Sequence, residues 1–377
     1  MAPGRREAPG RGRGNLHMRL AVDVMGGDNA PEAIVKGCIE AISLLEGDDR
    51  LVLIGDGPVI REMLVDRGIR DDRLEIDHTN EVIEMHEPPT QAVKTKKDSS
   101  LVRMALLGSE KHPRRCDAVL SAGNTGACVA AAMMHMRRLP HVHRPGIAVT
   151  IPSFHGPVVL IDAGANPEPR SSHLWQYALM GETYARTVLG IQSPRIAQMN
   201  IGSEEAKGTG LTKETRELLK ATPGVNYVGY IEGREFFEDS ADVVITDGFT
   251  GNTLLKMAEG MASSLMRALA REIAMFDPNL LLQFEPIMKQ LYKKHDYHEY
   301  GGAPLLGVNG VCLIAHGSSQ ARTIRSAVRA CQEFVRSGVN KAIVQRLSDV
   351  CPRVETHQGI VGGHGGSAEG AERRETA

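Results

Sequence analysis

Along this chain a short run of aliphatic and β-branched residues repeatedly stops at Gly, Asp or Asn, and a helix-patterned stretch follows. Residues 241–256, A-D-V-V-I-T-D-G-F-T-G-N-T-L-L-K, give the clearest case. The run Val243, Val244, Ile245 meets Thr246-Asp247-Gly248, and Phe249-Thr250-Gly251-Asn252 opens a helix. Strands alternating with helices predict an α/β fold, a mainly parallel sheet with helices on both faces. In such sheets the loops leaving the carboxyl ends of the strands gather on one edge, where ligands bind. Backbone N–H groups at the following helix N-termini favour anions.

The same unit recurs at residues 19–24 with Met25-Gly26-Gly27-Asp28, and at 51–54 with Gly55-Asp56-Gly57-Pro58. It returns at 118–120 with Ser121-Ala122-Gly123-Asn124-Thr125-Gly126, and at 158–161 with Asp162-Ala163-Gly164-Ala165-Asn166. Residues 195–199 run into Asn200-Ile201-Gly202-Ser203-Glu204-Glu205-Ala206-Lys207-Gly208, and 311–315 into His316-Gly317-Ser318-Ser319. Short strands are also expected at 74–76 and 227–230, and 147–151 with 158–161 reads as a hairpin across 153–157. Ile34, Val35, Cys38, Ile39, Ile42 and Leu45 keep helical spacing after an Asn29 cap and Pro31. Ser99 or Ser100 caps a helix towards Gly108. Long helices are expected at 173–189 and towards Leu347. The Gly/Arg/Pro-rich residues 1–17 and Gly/Glu-rich 356–377 read as disordered tails, with Met18 an alternative start, which leaves one domain at 18–355.

With 42% hydrophobic and 24% charged residues and a net charge of -2, the composition is that of a globular chain with no electrostatic case for nucleic acid. The six cysteines form no C-x-x-C pair, and no secretory pattern is evident, so free core thiols in a reducing, cytoplasmic compartment are expected. No apolar run reaches the roughly 20 residues of a membrane span.

Familiar nucleotide signatures fail: Gly55-Asp56-Gly57 is followed by Ile60 where the dinucleotide fingerprint has its third glycine, and no Gly-Lys-Ser/Thr follows residues 202–207. Cys128 reads as a small core residue, because no partnering base is evident. The loops instead offer neutral donors and one cation. Asn124, Asn166, Asn200 and Asn252 supply amides suited to an oxyanion, and Lys207 a point charge for phosphate. Asp28, Asp162 and Asp247 end strands. Taken loop by loop, an anion is expected to meet Gly26, Gly27 and Asp28, then Asn124, Thr125 and Gly126, then Asp162 and Asn166. Ser203 and Glu204, Asp247, Thr250 and Gly251, and His316, Ser318 and Ser319 complete that edge. No metal and no cofactor is expected.

The opening M-R-L-A-V-D-V-M-G-G-D resembles that of the bacterial phosphate acyltransferases of phospholipid synthesis (the PlsX family). S-A-G-N-T-G-A, D-A-G-A-N, N-I-G-S-E-E-A-K-G, T-D-G-F-T-G-N, Y-G-G-A-P-L-L-G and A-H-G-S-S resemble its other blocks in the same order, between about Met18 and Leu347. Val24, Asn29, Pro304 and Leu306 depart from the usual residues. The resemblance implies transfer of a long-chain acyl group from acyl carrier protein to inorganic phosphate, by direct attack on the thioester. The acyl phosphate then feeds a glycerol-3-phosphate acyltransferase. It implies a three-layer α/β/α sandwich, related to phosphotransacetylases and isocitrate/isopropylmalate-type dehydrogenases, in a homodimer at the membrane periphery without a cofactor. It places catalytic roles on Lys207, orienting phosphate and protonating the departing thiolate, and on Asn252, the oxyanion donor.

Residues 255–300 read as a helical hairpin for dimer or membrane contact. Leu265, Leu269, Ile273 and Phe276 continue one apolar face, Leu281 and Phe284 follow Pro278, and Lys289, Lys293 and Lys294 add positive charge. Arg137, Arg138, His141, His143 and Arg144 form a basic patch suited to an acidic carrier protein. Rival readings are a phosphotransacetylase acting on acyl-coenzyme A, a nicotinamide-dependent decarboxylating dehydrogenase, and a non-enzymatic carrier-protein scaffold.

Overall fold

The computed structural model describes residues 17–153, 155–295 and 301–361. The chain begins β1 (Arg19–Asp23), α1 (Glu32–Ala41), β2 (Arg50–Gly55), α2 (Gly57–Asp66), β3 (Leu74–His78), α3 (Pro89–Thr95), α4 (Ser100–Leu107), β4 (Ala118–Ser121) and α5 (Thr125–Ala131). It continues with β5 (Gly146–Ser153), β6 (Gly156–Ile161), α6 (Ser171–Thr187), β7 (Ile196–Met199), α7 (Gly210–Lys220), β8 (Tyr227–Ile231), β9 (Val243–Ile245) and α8 (Gly248–Phe276). Then come α9 (Pro278–His295), β10 (Ala303–Leu306), β11 (Val311–Ile314), α10 (Ala321–Ser337) and α11 (Val339–Val361). The strands form a single sheet in the order β3-β2-β1-β4-β11-β10-β5-β6-β9-β7-β8.

Alternation along each strand splits the core into two apolar layers. On β1, Leu20 and Val22 face a layer shared with α1, α6, α10 and α11, while Ala21 faces the layer under α3, α4 and α5. Helices therefore cover both faces, a three-layer α/β/α sandwich. The expected hairpin is present, with Ser153 opposite Gly156.

One expectation fails on β10, whose run Ala303-Pro304-Leu305-Leu306 contains a proline and carried no strand signal. It pairs antiparallel with β11 and β5, and β5 pairs antiparallel with β6. The remaining pairings are parallel. Strands β1–β5 and β11 therefore run one way, and β6–β10 the other. The strand-end loops do not gather on one edge. Those after β1, β4 and β11 leave one edge, and those after β6, β7 and β9 the opposite one. A second correction concerns Asn29: Pro31 precedes α1 without a side-chain cap, and the Asn29 amide donates instead to the carbonyls of Ser318 and Ser319.

α8 and α9 form the projecting hairpin. Among the described side chains of α8 only Gly248 and Gly251 are buried, and Leu265 and Phe276 are 63% and 85% exposed. Ile273 is half-buried, and Leu269 and Phe284 are exposed. The side chains of Leu281, Lys289, Lys293 and Lys294 lie outside the described residues, as does the tail at 1–16. At the other end α11 continues to Val361, into the segment read as a tail, and 362–377 lie outside the described residues.

The root of α8 is set by close backbone approach. A Cβ on Gly251 would lie 2.0 Å from the Asp162 carbonyl oxygen, whereas one on Gly260, farther along the helix, meets nothing within 4 Å. Gly251→Ala is expected to lower unfolding stability in urea by about 1–3 kcal/mol through overpacking. Gly260→Ala should raise it by up to about 1 kcal/mol through helix propensity. Equal effects of the two changes would contradict this seating.

Candidate active site

Each group of strand-end loops is organised by a buried carboxylate. Asp23, at the end of β1, accepts from Ser121 Oγ at 2.7 Å and from Met25 N at 3.2 Å. Burial pushes its carboxyl up, and hydrogen bonds from Ser100 and Ser121 oppose the shift. The following glycine lets the next loop close in, since a Cβ on Gly26 would sit 2.5 Å from Asp23 Oδ2 and 2.8 Å from Gly123 N. Gly27, at φ +111°, lies against the carbonyls of Ala122 and Gly317, and Asp28 N donates to Gly317 O at 2.8 Å. The loops after β1, β4 and β11 are thus closed on one another.

Asp162, at the end of β6, does the same for the second group. Its Oδ1 accepts from the N–H groups of Ile147, Gly164 and Ala165 at 3.0, 3.1 and 2.9 Å, and its Oδ2 from Asn166 N at 2.7 Å. Burial raises this carboxyl too, and the backbone donors pull against it. Asn166 directs its amide to Pro145 O at 2.6 Å and Tyr177 Oη at 2.8 Å, while its own carbonyl receives Gly248 N at 2.9 Å. Asp247 caps α8 through Thr250 N and Thr250 Oγ1, both at 2.8 Å. The helix is thereby aimed so that Asn252 stands over Gly164, whose Cα a Cβ could leave only towards the Asn252 side chain at 3.5 Å.

Between the two groups, on the face of the central strands, lies a cavity of about 340 Å³. Asp28, Thr125, His316 and Gly317 come to it from the first group, and Ala163 and Asn252 from the second. Ile147, Val149, Ala303 and Ile314 give it an apolar floor, and α8 adds Leu255, Lys256 and Glu259. The reversal at β10 and β5 lets opposite edges contribute, because the loops meet across the sheet face.

Of the residues expected at an anion site, Asp28, Thr125, Asn252 and His316 line this cavity. Gly26, Gly27, Asp162, Asn166, Asp247, Thr250 and Gly251 shape its walls through the contacts above. Asn124 caps α5 through Ala127 N at 3.0 Å, its amide donates to the carbonyls of Met85 and Glu87 at 3.2 and 3.0 Å, and Gly126 lies against Pro89. The Asn200 amide donates to Gly202 O at 3.0 Å. Lys207, Ser203 and Glu204 do not line the cavity. Lys207 Nζ pairs with Glu204 Oε1 at 2.8 Å on the loop after β7, which raises the lysine pKa and lowers that of the glutamate. Ser318 Oγ meets His316 Nδ1 at 2.7 Å, and Ser319 is buried, its Oγ lacking a hydrogen-bond partner among the described residues.

Sequence reasoning missed Asp23, Lys256 and Glu259. The last two follow Asn252 at i+4 and i+7, so helical spacing alone could have put them on its face. Among the described residues no three His, Cys, Asp or Glu side chains are grouped to hold a metal.

Comparison with known proteins places the chain. Residues 18–342 match the family of fatty acid synthesis proteins. Phosphate acyltransferase of Dictyoglomus turgidum is 42% identical over 339 residues, covering 89% of this chain and 99% of that protein. Phosphate acyltransferase of Desulfitobacterium hafniense is 43% identical over 333 residues, covering 88% and 98%. Among solved structures, a phosphotransacetylase from Streptococcus pyogenes superposes with a TM-score of 0.56 at 15% identity, over 85% of this chain and 95% of that one. EutD phosphotransacetylase from Staphylococcus aureus gives 0.51 at 12%, over 86% and 94%. At these identities the superpositions establish a shared fold. The chain belongs to the fatty acid synthesis family of phosphate acyltransferases.

Cys128 is fully buried with Sγ 3.9 Å from Cys312 Sγ, and that contact, together with burial, holds its thiol well above the ordinary range. A neutral, inaccessible thiol is a poor nucleophile. Cys128→Ala should retain near wild-type turnover, and iodoacetamide should leave Cys128 unlabelled in the native enzyme by peptide mass mapping. A trapped acyl group on Cys128 would overturn this.

Proposed function

We propose that this phosphate acyltransferase takes a long-chain acyl group from acyl carrier protein and gives it directly to inorganic phosphate. The observation that carries the reading is the joint placement of Asn252, Lys256 and an apolar floor in one cavity walled by loop backbone. A hydrogenphosphate oxygen attacks the thioester carbonyl carbon. As the C–O bond forms and the C–S bond breaks, sulfur leaves as thiolate and takes up the proton brought by phosphate, giving acyl phosphate and free thiol. Asn252 Nδ2 donates to the oxyanion of the tetrahedral intermediate. Lys256, which has no ion-pair partner among the described residues, neutralises the bound phosphate. Lys207, outside the cavity, captures incoming phosphate by exchanging its Glu204 partner. His316 meets the same anion from the loop after β11, its Nδ1 held by Ser318 Oγ.

The carrier protein is assigned to the exposed segment Arg137, Arg138, His141, His143 and Arg144, which runs into β5 through Pro145. His143, Arg144 and Arg170 together depress the His173 pKa after burial does, so positive charge is concentrated there. This suits an acidic partner. The hairpin is assigned to a second copy of the chain and to the bilayer surface, with the protein in the cytoplasm and a glycerol-3-phosphate acyltransferase consuming its product. Among the described residues no helix is long and apolar enough to cross a membrane.

Phosphate-dependent release of carrier thiol tests the reaction, and the same assay on acyl-coenzyme A distinguishes a phosphotransacetylase. Asn252→Ala should lower kcat by roughly 10²–10³ while the protein remains folded. Lys256→Met should raise KM for phosphate more than Lys207→Met does, and the reverse order would return the phosphate site to Lys207. Charging Leu282 and Phe284 on α9 should abolish co-sedimentation with anionic liposomes. Retained pelleting would remove that membrane contact.

A further inference from the structure

Asn252, Leu255, Lys256 and Glu259 line the cavity from one face of α8, at spacings i, i+3, i+4 and i+7. Asn252 and Lys256 have roles in the reaction above, and Leu255 adds apolar surface. Glu259 has no such role, yet its Oε1 is shielded from solvent and has no hydrogen-bond partner among the described residues. Among those residues no lysine or arginine forms an ion pair with it either. A shielded carboxylate oxygen without a donor is expensive, and the side chain that carries it lines the cavity, so a ligand there brings the donor that the described residues lack.

We propose that Glu259 accepts a hydrogen bond from the amide N–H of a cysteamine-type arm, the group joined through two methylenes to the thioester sulfur. The proposal rests on the thioester reading given above. Of the three parts of that reaction, the acyl chain has no donor, and phosphate carries negative charge that a shielded carboxylate repels. The arm bearing the sulfur offers a neutral N–H. Its position fits the helix as a ruler. Seven residues at 1.5 Å rise separate Asn252 from Glu259 by about 10 Å along the axis. From the thioester oxygen to the arm's nitrogen is five bonds, roughly 6 Å when extended, with bonds of about 1.5 Å. A hydrogen bond of about 3 Å at each end extends the reach to about 12 Å, which covers that separation with the bonds inclined to the axis. With the carbonyl oxygen on Asn252, the first amide N–H of the arm reaches Glu259, and the acyl chain is left to the apolar floor. Lys256, between them, faces the phosphate. The helix would thus hold the thioester at two points and fix which face of its carbonyl meets the nucleophile.

The test is binding, by calorimetry without phosphate, of S-octanoyl-N-acetylcysteamine and of the matched S-ethyl thioester, which has the same acyl group and no amide. The wild-type full chain should bind the first roughly 10-fold or more tightly than the second, the effect of one hydrogen bond to a charged acceptor. Glu259→Ala should abolish that difference without weakening the ethyl thioester, and Glu259→Gln, which keeps a carbonyl acceptor but loses its charge, should restore only part of it. Equal binding of the two thioesters by wild type, or a difference that persists in Glu259→Ala, overturns the assignment. So does an effect of Glu259→Ala confined to phosphate KM. Adding phosphate to the wild-type complexes separates this contact from the reaction itself. Turnover without discrimination sinks the contact alone, and discrimination without phosphate-dependent thiol release sinks the reaction and leaves the contact standing.

Discussion

The Asp162 carboxylate is the interaction on which the rest of the site depends. It is fully buried and collects N–H groups from the start of β5 and from three consecutive residues of its own loop. Taking such a group out of water is unfavourable, and the gathered donors compensate only because the loop is wound tightly enough to aim them inward. That winding carries Asn166 to where its carbonyl meets Gly248, and it leaves the Asp162 carbonyl where only a glycine at 251 can pass. The start of α8, and with it the direction of Asn252, follows from these contacts.

Asp23 repeats the arrangement in the other half of the sheet. Both carboxylates stand at the end of a strand, both are raised by burial, and both are followed by a close backbone approach that glycine permits. The two rigid corners face each other across β10 and β5, whose side chains supply an apolar surface with no polar demand of its own. Shape thus comes from the corners and chemistry from the few side chains that cross between them.

Much of this was legible locally. The Asp247 and Ser99 caps, the hairpin at 153–157 and the burial of Cys128 all follow from short-range patterns that the fold keeps. What spacing does not report is strand direction. Pro304 hides β10, and with it the reversal that sends the loop of Asp162 and the loop of Asp28 off opposite edges. The floor residues Ile147 and Val149 have the pattern of any core strand, so only the three-dimensional arrangement marks them as cavity wall. Asn124 and Asn166 look identical to Asn252 in sequence, yet their amides are taken up by backbone carbonyls and a tyrosine. Lys256 and Glu259 read as a solvated helix face until the helix is seen to lie over the central strands.

α8 is continuous from Gly248 to Phe276, 29 residues without an internal proline. At 1.5 Å per residue its tip stands about 42 Å from its first residue, and Asn252 about 6 Å. For a stiff rod hinged at its base, displacement scales with distance from the hinge, so swaying at Phe276 is reduced about sevenfold at Asn252. A displacement of several ångströms at the tip would move the amide by about one or less. Reach at one end and registration at the other thus come from the same piece of helix.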